Sequence, residues 1–473
     1  MKWVMEIYKQ YINYINNQLG GNFDLTFRPL ELELGGVYVV FMTSICDGEE
    51  ISKNIIVPLL DKKINSRDIE VYKSQVITNN VVENIKNEKD AVTHLLNGHA
   101  VILFEFLEDV ICCEVKKLAS RNIEIPPAEA VLKGPREGFT ENILINVSLI
   151  RKRLKDKDLK FEKIYIGEKA EFDVIIVYIK NVAQEELVQY IRSEINKMKI
   201  DFTFQSNYII EQLETRSSSF DTIGYTEKPD IFVSKVSEGR VGILMQGESS
   251  AVTAPFFFLE NFQSPNDYNL NIYVANYIRA LRWIAFGIAL LLPGLYIALT
   301  THHFSLIPRM LIFRLAIARA GVPFPTFIEV LLLMFFFQVL REAGIRLPQP
   351  IGQSISIVGA LILGDVAVAS GLASTITVLV VSLSAITTFL IPTMSLAIVL
   401  WANLFIIAST IFGLPGFYIM FAIYCSHLAG ITTCGYPYLF PLGTLSKYKK
   451  KDVMSRGFLH NISNSSLTKD EKR

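Results

Sequence analysis

Two kinds of apolar patterning divide this chain. From about residue 25 to 270, short apolar runs alternate with stretches of helical spacing. VYVVFMTSI (37–45) and AVILFEFLE (100–108) are β-branched and aromatic runs bounded by Gly and Asp, which predicts buried strands. TENILINVSLIRKRLKD (140–156) sets Ile143, Val147, Ile150 and Leu154 along one helical stripe, with Thr140 as N-cap and Glu141 in the first turn. KFEKIYIG (160–167) and EFDVIIVYIK (171–180) follow as strands, and AQEELVQYIRSEINKMK (183–199) as a capped helix with a charged face. GRVGILMQGESSAVTAPFFF (239–258) predicts a closing strand pair with Gly247 at its turn.

Past residue 270 the alternation stops. WIAFGIALLLPGLYIALT (283–300), ISIVGALILGDVAVASGL (355–372), ITVLVVSLSAITTFLIP (376–392), MSLAIVLWANLFIIASTIF (394–412) and GFYIMFAIYCSHLAGI (416–431) have the composition of membrane spans. Pro293 is tolerable inside such a helix. FIEVLLLMFFFQVL (327–340) falls short of the ~20 residues a crossing needs, so it is expected to be re-entrant or packed within an oligomer.

The organisation expected is an α/β cytoplasmic N-terminal region in two sub-domains followed by an all-α polytopic membrane domain. Its parts are an N-terminal helix (1–24), α/β sub-domains at 25–125 and 126–270, a membrane domain (271–445) and a basic cytoplasmic tail (446–473). The Pro126–Pro127 pair, which forbids a continuing helix, marks the division of the sub-domains.

Charge sharpens this picture. Lys plus Arg and Asp plus Glu are equal at 46 each, so net charge favours neither nucleic acid nor an acidic tail. Between Ala280 and Leu445 there are six Arg, three acids (Glu329, Glu342, Asp365) and no Lys. Arg282-Trp283 reads as an interface anchor, and Lys447, Lys449, Lys450, Lys451 and Arg456 place the tail on the cytoplasmic side. The N-terminal stretch has no continuous apolar core or cleavage site; it is expected to be a helix with Trp3, Val4, Ile7 and Tyr11 on one side. Both ends then lie inside, which requires an even number of crossings, four or six. Five cysteines form no C-x-x-C pair, as suits a reducing compartment.

Motifs for chemistry are sparse. GPREG (134–138) lacks the lysine and hydroxyl of a phosphate loop, and Glu137 puts negative charge where an anion would sit. Arg136, Arg151, Lys152 and Arg153 read as a solvated basic face or a contact with a neighbouring subunit; no aromatic platform for nucleic acid accompanies them. His94 and His99 lie off one helical face, with no Cys or acid to complete a metal set, and read as structural. No G-x-S-x-G or H-E-x-x-H is present, so an enzyme is not expected.

The charges inside the apolar half are more informative. Asp365 either faces a bundle interior or sits at the headgroups beside Gly364. Arg309, Arg314 and Arg319 are spaced by five and fall on three bearings, so RMLIFRLAIARAG is expected at an interface or lining a wet vestibule. Arg341-Glu342 and Arg346, stopped by Pro348, are either interfacial anchors or the charged rim of a conduction path.

Eight stretches in order resemble the GerA family of spore germination proteins, A subunits of nutrient germinant receptors. They are SRNIEIPPAEAVLKGPREGFTENILINVSLIRKRL (120–154), TEKPD (226–230), EGRVGIL (238–244), FFLENFQSPNDY (257–268), ALLLPGLYIAL (289–299), IPRMLIFRLAIARAGVPFPTFIE (307–329), LREAGIRLPQPIGQSISIVGALILGD (340–365) and GYPYLFPLG (435–443). The resemblance implies a multi-pass receptor subunit of the inner spore membrane, with its N-terminal half and tail on the core side. Its implied partners are a transporter-like B subunit, a lipoprotein C subunit, further A subunits in a ring with an ion-conducting pore, and membrane lipid; it implies no cofactor, metal or nucleic acid. Pore or gate candidates are Glu329, Arg341, Glu342, Gly359, Gly364 and Asp365. Acids usual in the family are replaced here across Met334–Gln338, and the ending GFLHNISNSSLTKDEKR (457–473) departs from the usual Pro-rich one. The rival reading is a component of a secondary transporter for small nutrients, although the internal repeat common in such folds is not visible.

Overall fold

Strand β2 (Gly35–Met42) explains the continuous apolar runs of the first half. Val37 and Val39 enter one core and Val40 and Met42 another, because successive side chains leave a strand on opposite faces and here both faces are covered. The computed structural model describes residues 2–61, 66–117, 133–167, 171–201, 205–214, 218–347, 359, 364–442, 452 and 454–459. The Pro126–Pro127 division, Pro348 and the Lys447–Lys451 flank lie outside the described residues.

The first sheet has the order β1-β2-β4-β5-β3, all neighbours antiparallel: β1 (Leu25–Leu32), β2, β3 (Val82–Ile85), β4 (His99–Phe104) and β5 (Val110–Glu114). One face carries α1 (Lys2–Leu19), which buries Tyr8, Tyr11, Ile15 and Leu19, together with α2 (Glu88–Leu96). Short helical turns within 48–61 and 69–76 cover the other face.

The second sheet has the order β6-β7-β9-β10-β8: β6 (Leu159–Ile166), β7 (Phe172–Ile179), β8 (Gly224–Thr226), β9 (Val241–Met245) and β10 (Ala251–Ala254). β9 and β10 pair around Gly247, which takes a positive φ of 85°, as the sequence predicts. Helices α3 (Ile143–Arg153) and α6 (Pro229–Ser237) cover one face; α4 (Glu185–Asn196) and α5 (Asn207–Leu213) cover the other. Ile143, Val147 and Ile150 are buried along the expected stripe of α3. Its N-cap is Asn142, not Thr140: the Asn142 side chain accepts from the Leu144 and Ile145 amides. Thr140 is buried and spends its amide and hydroxyl on Asn146 Oδ1.

The C-terminal half is helical. Its longer described helices are α7 (Ile272–Thr301), α8 (Arg309–Arg319), α9 (Thr326–Arg346), α10 (Thr375–Thr388), α11 (Ser395–Phe412) and α12 (Leu414–Gly430). Among the described residues, two helices are long and apolar enough to cross a membrane, Ile272–Thr301 and Pro392–Phe412. The apolar run 327–340 lies in α9, a helix of 21 residues that continues past it through Arg341, Glu342 and Arg346 and is not among the two spanning candidates. Gly294 lets α7 approach α11 closely; a Cβ there would lie 2.9 Å from Phe405 Cβ and 3.1 Å from its carbonyl carbon.

The chain then returns to the second sheet. The hairpin β11 (Thr432–Thr433) and β12 (Tyr436–Pro437) buries Cys434, Tyr436 and Phe440 in the same core as Phe257 and β9. An aromatic core of Phe220, Phe258, Phe262, Trp401, Tyr424 and Tyr438 joins this region to the helices.

Candidate functional site

Sheets and long helices meet at FFLENFQSPNDY (257–268), and the sequence folds this joint locally. Ser264-Pro265-Asn266-Asp267 is a capping box: the Ser264 amide donates to Asp267 Oδ2 at 3.2 Å, and Pro265 occupies the first turn of a helix over Pro265–Asn269. Arg279 and Arg282, three apart on α7, present guanidinium groups on one face. Arg282 grips Asp267 with two bonds of 2.8 Å and also donates to the Phe262 carbonyl at 2.8 Å. Arg279 reaches Asp267 Oδ2 at 3.3 Å and donates to Asp452 Oδ1 at 2.7 Å.

Asp452 belongs to the tail, and Tyr268 donates to its other oxygen at 2.6 Å. Arg456 donates to the Asp267 and Leu270 carbonyls at 2.8 and 2.9 Å. Asp267 and Arg279 are fully buried, so three separate stretches of chain are tied through charges out of water. Burial, with Asp452 beside it, pushes the Tyr268 hydroxyl well above its ordinary pKa, so it stays a donor. Arg282, expected as an interface anchor, is held in an internal ion pair with Asp267, and its neighbour Trp283 stacks on Phe262 at 3.7 Å.

A cleft of about 560 Å³ opens beside this joint, lined among others by Tyr225, Asp230, Lys235, Glu238, Glu260 and Tyr268. Glu260 is buried and bonded to both Lys235 and Arg240. Burial raises its pKa, but the two cations outweigh that and hold the carboxyl below its usual value.

A second buried carboxylate organises the helices. Glu329 on α9 is 1% exposed, and its Oε2 accepts from the Ser374 amide at 3.1 Å and the Thr377 hydroxyl at 2.9 Å. It thus sits at the N-terminus of α10, where exposed amides and the helix dipole favour an anion. Thr377 also meets the Tyr296 hydroxyl of α7 at 3.1 Å, and Arg319 of α8 lies 3.4 Å from Glu329 Oε1. Four helices converge on this one group.

Of the three arginines expected at an interface or vestibule, Arg319 instead turns inward to Glu329, while Arg309 and Arg314 are exposed. Glu342 is exposed and pairs with Arg346 one turn on; Arg341 is half-buried beside Gln338, Ser384 and Thr388. Asp365 is exposed on this chain, and Gly364 lies near Val378. Gly359 packs on Leu340, whose Cδ2 would be 2.7 Å from an added Cβ.

The basic face is divided. Arg136 and Lys152 are exposed. Arg153 pairs with Glu137 at 2.5 Å. Arg151 corrects the expectation: it is buried and grips the buried Asp24 at 2.8 and 2.9 Å, over the Phe161 ring. It faces inward because α3 lays Val147, Ile150 and Arg151 against β6 and the Phe23–Asp24 stretch before β1, leaving Lys152 outside.

Several of these partners escaped sequence reading. The Ser-Pro-Asn-Asp box and the Arg279/Arg282 spacing were local signals for the joint, whereas Asp24–Arg151 and Glu329–Ser374 span long sequence distances. His94 has a cysteine and an acid near it after all, since Glu83 and Cys112 place ligand atoms within 4.8 Å of it.

Comparison with known proteins gives these arrangements a family context. Residues 13–466 match the family described as Bacillus/Clostridium GerA spore germination protein. Spore germination protein KA of Bacillus subtilis (strain 168) is 32% identical, over 93% of this chain and 82% of its own length. "Uncharacterized membrane protein YfkQ" of the same organism is 34% identical, over 92% of this chain and 85% of its own. Spore germination protein GerLA of Bacillus cereus is 32% identical, over 90% and 88%. A solved structure, the N-terminal domain of the A subunit of the Bacillus megaterium spore germinant receptor GerK3, covers 52% of this chain and 94% of that domain, with 24% identity and a TM-score of 0.41.

Proposed function

The chain belongs to the GerA family of spore germination proteins, and on that premise we propose that it is the A-type subunit of a nutrient-germinant receptor. In this reading it sits in the inner spore membrane and assembles with copies of itself into a ligand-gated, cation-conducting pore. A transporter-like B subunit and a lipoprotein C subunit complete the receptor, and this chain performs no catalytic step.

The observation that carries the assembly is helix α8. None of its eleven residues is buried, although Met310, Phe313 and Ile317 are 79%, 70% and 73% exposed. At about 100° per residue these three fall within a sector of roughly 60°, with Arg309 and Arg314 on its two flanks and Arg319 on the far side toward Glu329. An apolar stripe bracketed by cations is suited neither to open water nor to full burial in lipid. A neighbouring subunit or the membrane interface covers it, and the flanking arginines face a wet vestibule. Glu329, holding four helices together, is then the group whose contacts change when the pore opens.

Topology supports the membrane reading. The helical half leaves the second sheet at Ile272 and comes back to its core at Tyr436 and Phe440, so any crossings between those points are even in number. The test is the size of the full chain purified in mild detergents or lipid nanodiscs. A symmetric oligomer is expected, and Phe313→Glu should lower its order while leaving the fold intact. A strict monomer in all conditions, or unchanged nutrient-triggered cation release from Phe313→Glu spores, removes the pore reading.

A further inference from the structure

Three side chains distant in sequence meet at one side of the first sheet. Glu83 lies on the edge strand β3 and Cys112 on its neighbour β5, and the two are register partners in the antiparallel pair. Directly opposed residues send their side chains to the same face. Helix α2 covers that face, burying Ala91, Val92 and Leu95 in a core that also contains Ile85 and Cys112. His94, beside Leu95, is left at the margin of the covered face, above Cys112 and Glu83. A carboxylate oxygen, an imidazole nitrogen and a thiol sulfur thus lie within 4.8 Å of one another.

We propose that Glu83, His94 and Cys112 bind a zinc-class divalent cation, with a water molecule as the fourth ligand. The donor set decides the class of ion. A sulfur and an imidazole suit a borderline-soft cation, whereas Mg²⁺ and Ca²⁺ take oxygen ligands. Bond lengths of about 2.3 Å to sulfur and 2.0–2.2 Å to nitrogen or oxygen put tetrahedral ligands roughly 3.3–3.7 Å apart. Closing the present separation requires a side-chain rotation, and Glu83 is exposed on the edge strand and free to turn.

The other two ligands are held. Cys112 is 1% exposed in the sheet core. The His99 ring packs edge-on against His94 at 5.0 Å, and His99 Nδ1 lies 3.2 Å from the His94 carbonyl, which steadies the end of the helix.

On binding, the Cys112 thiol releases its proton to water and its sulfur bonds the metal as thiolate. With the Glu83 carboxylate and neutral His94, the two negative charges balance the dication, so the half-buried site is left neutral. The metal would also staple the edge strand β3 to β5 and to α2.

The full chain, purified in detergent with any tag removed and stripped by a chelator, provides the test. Titrated with Zn²⁺ against a chromophoric chelator, it should take one ion per chain, and millimolar Mg²⁺ should not displace it. Co²⁺ in the same site should give a thiolate-to-cobalt charge-transfer band. His94→Gln and Glu83→Gln alter positions outside the core and should leave the metal-free melting curve unchanged. Each should lower Zn²⁺ affinity by at least the roughly 10–100-fold that loss of a group hydrogen-bonded to a metal ligand costs. Cys112→Ser should abolish the cobalt thiolate band, and Zn²⁺ should slow amide exchange in β3 of the parent chain only. Absence of stoichiometric binding, or binding unchanged in both surface variants, overturns the proposal.

Discussion

Replacing Arg151 by alanine tests whether the buried Asp24–Arg151 pair rivets the two sheets together. Arg151 comes from α3 of the second sheet's layer and Asp24 immediately precedes β1 of the first; the two are 2% and 0% exposed. Two bonds of 2.8 and 2.9 Å join them, and Ser44 donates to the same carboxylate. Removing the cation leaves Asp24 ionised, out of water and with one hydroxyl for company, a loss of about 3–5 kcal/mol. At about 1.4 kcal/mol per factor of ten, amides of α3 and β1 that exchange through this opening should do so roughly two to three and a half decades faster. Hydrogen–deuterium exchange of the full chain in detergent reads this directly.

A double replacement separates the charge from the packing. Arg151→Met with Asp24→Asn keeps volume, an acceptor for Ser44 and no unpaired charge, so most of the protection should return. The coupling between the two positions then measures the pair itself. Exchange faster by less than about tenfold in Arg151→Ala, or a double variant as damaged as the sum of the singles, would refute the reasoning.

Three further outcomes follow from the same physics. Asp267→Ala strips Arg282 of its bidentate partner and leaves Arg279 only Asp452, so limited proteolysis should cut the tail near residue 452 faster than in the parent; equal cleavage rates would mean the joint does not hold the tail. Glu260 is held below its unfolded value near 4.5, so in acid the unfolded chain binds a proton first. Its stabilisation is complete above that value and falls away as pH drops through the lower folded pKa; Glu260→Gln should melt lower at neutral pH but with a flatter acid slope, and parallel curves would contradict this. Gly294→Leu drives a side chain into the Phe405 backbone and should cost about 1–3 kcal/mol of thermal stability in micelles, whereas Gly287→Leu, where a Cβ meets nothing within 4 Å, should be silent.

Much of this molecule was readable from order alone. The runs at 37–45, 100–108 and 171–180 hold the strands Gly35–Met42, His99–Phe104 and Phe172–Ile179, the stripe of Ile143, Val147 and Ile150 is buried, and Gly247 makes its turn. These features depend on side-chain periodicity and on backbone freedom at single positions, both written locally. The family resemblance, carried by ordered motifs, is equally a property of the chain as a string.

Charge was the quantity that needed the fold. Arg151, Arg282 and Arg319 look in sequence like their neighbours Arg153, Arg309 and Arg314, yet the first three are turned inward onto Asp24, Asp267 and Glu329. Nothing within a helical turn of an arginine tells whether a carboxylate 127 residues away will meet it. Hydrophobic periodicity is set by neighbours along the chain; the state of a charge is set by what tertiary packing brings within a few ångströms, because only there does the loss of water make its partner decisive.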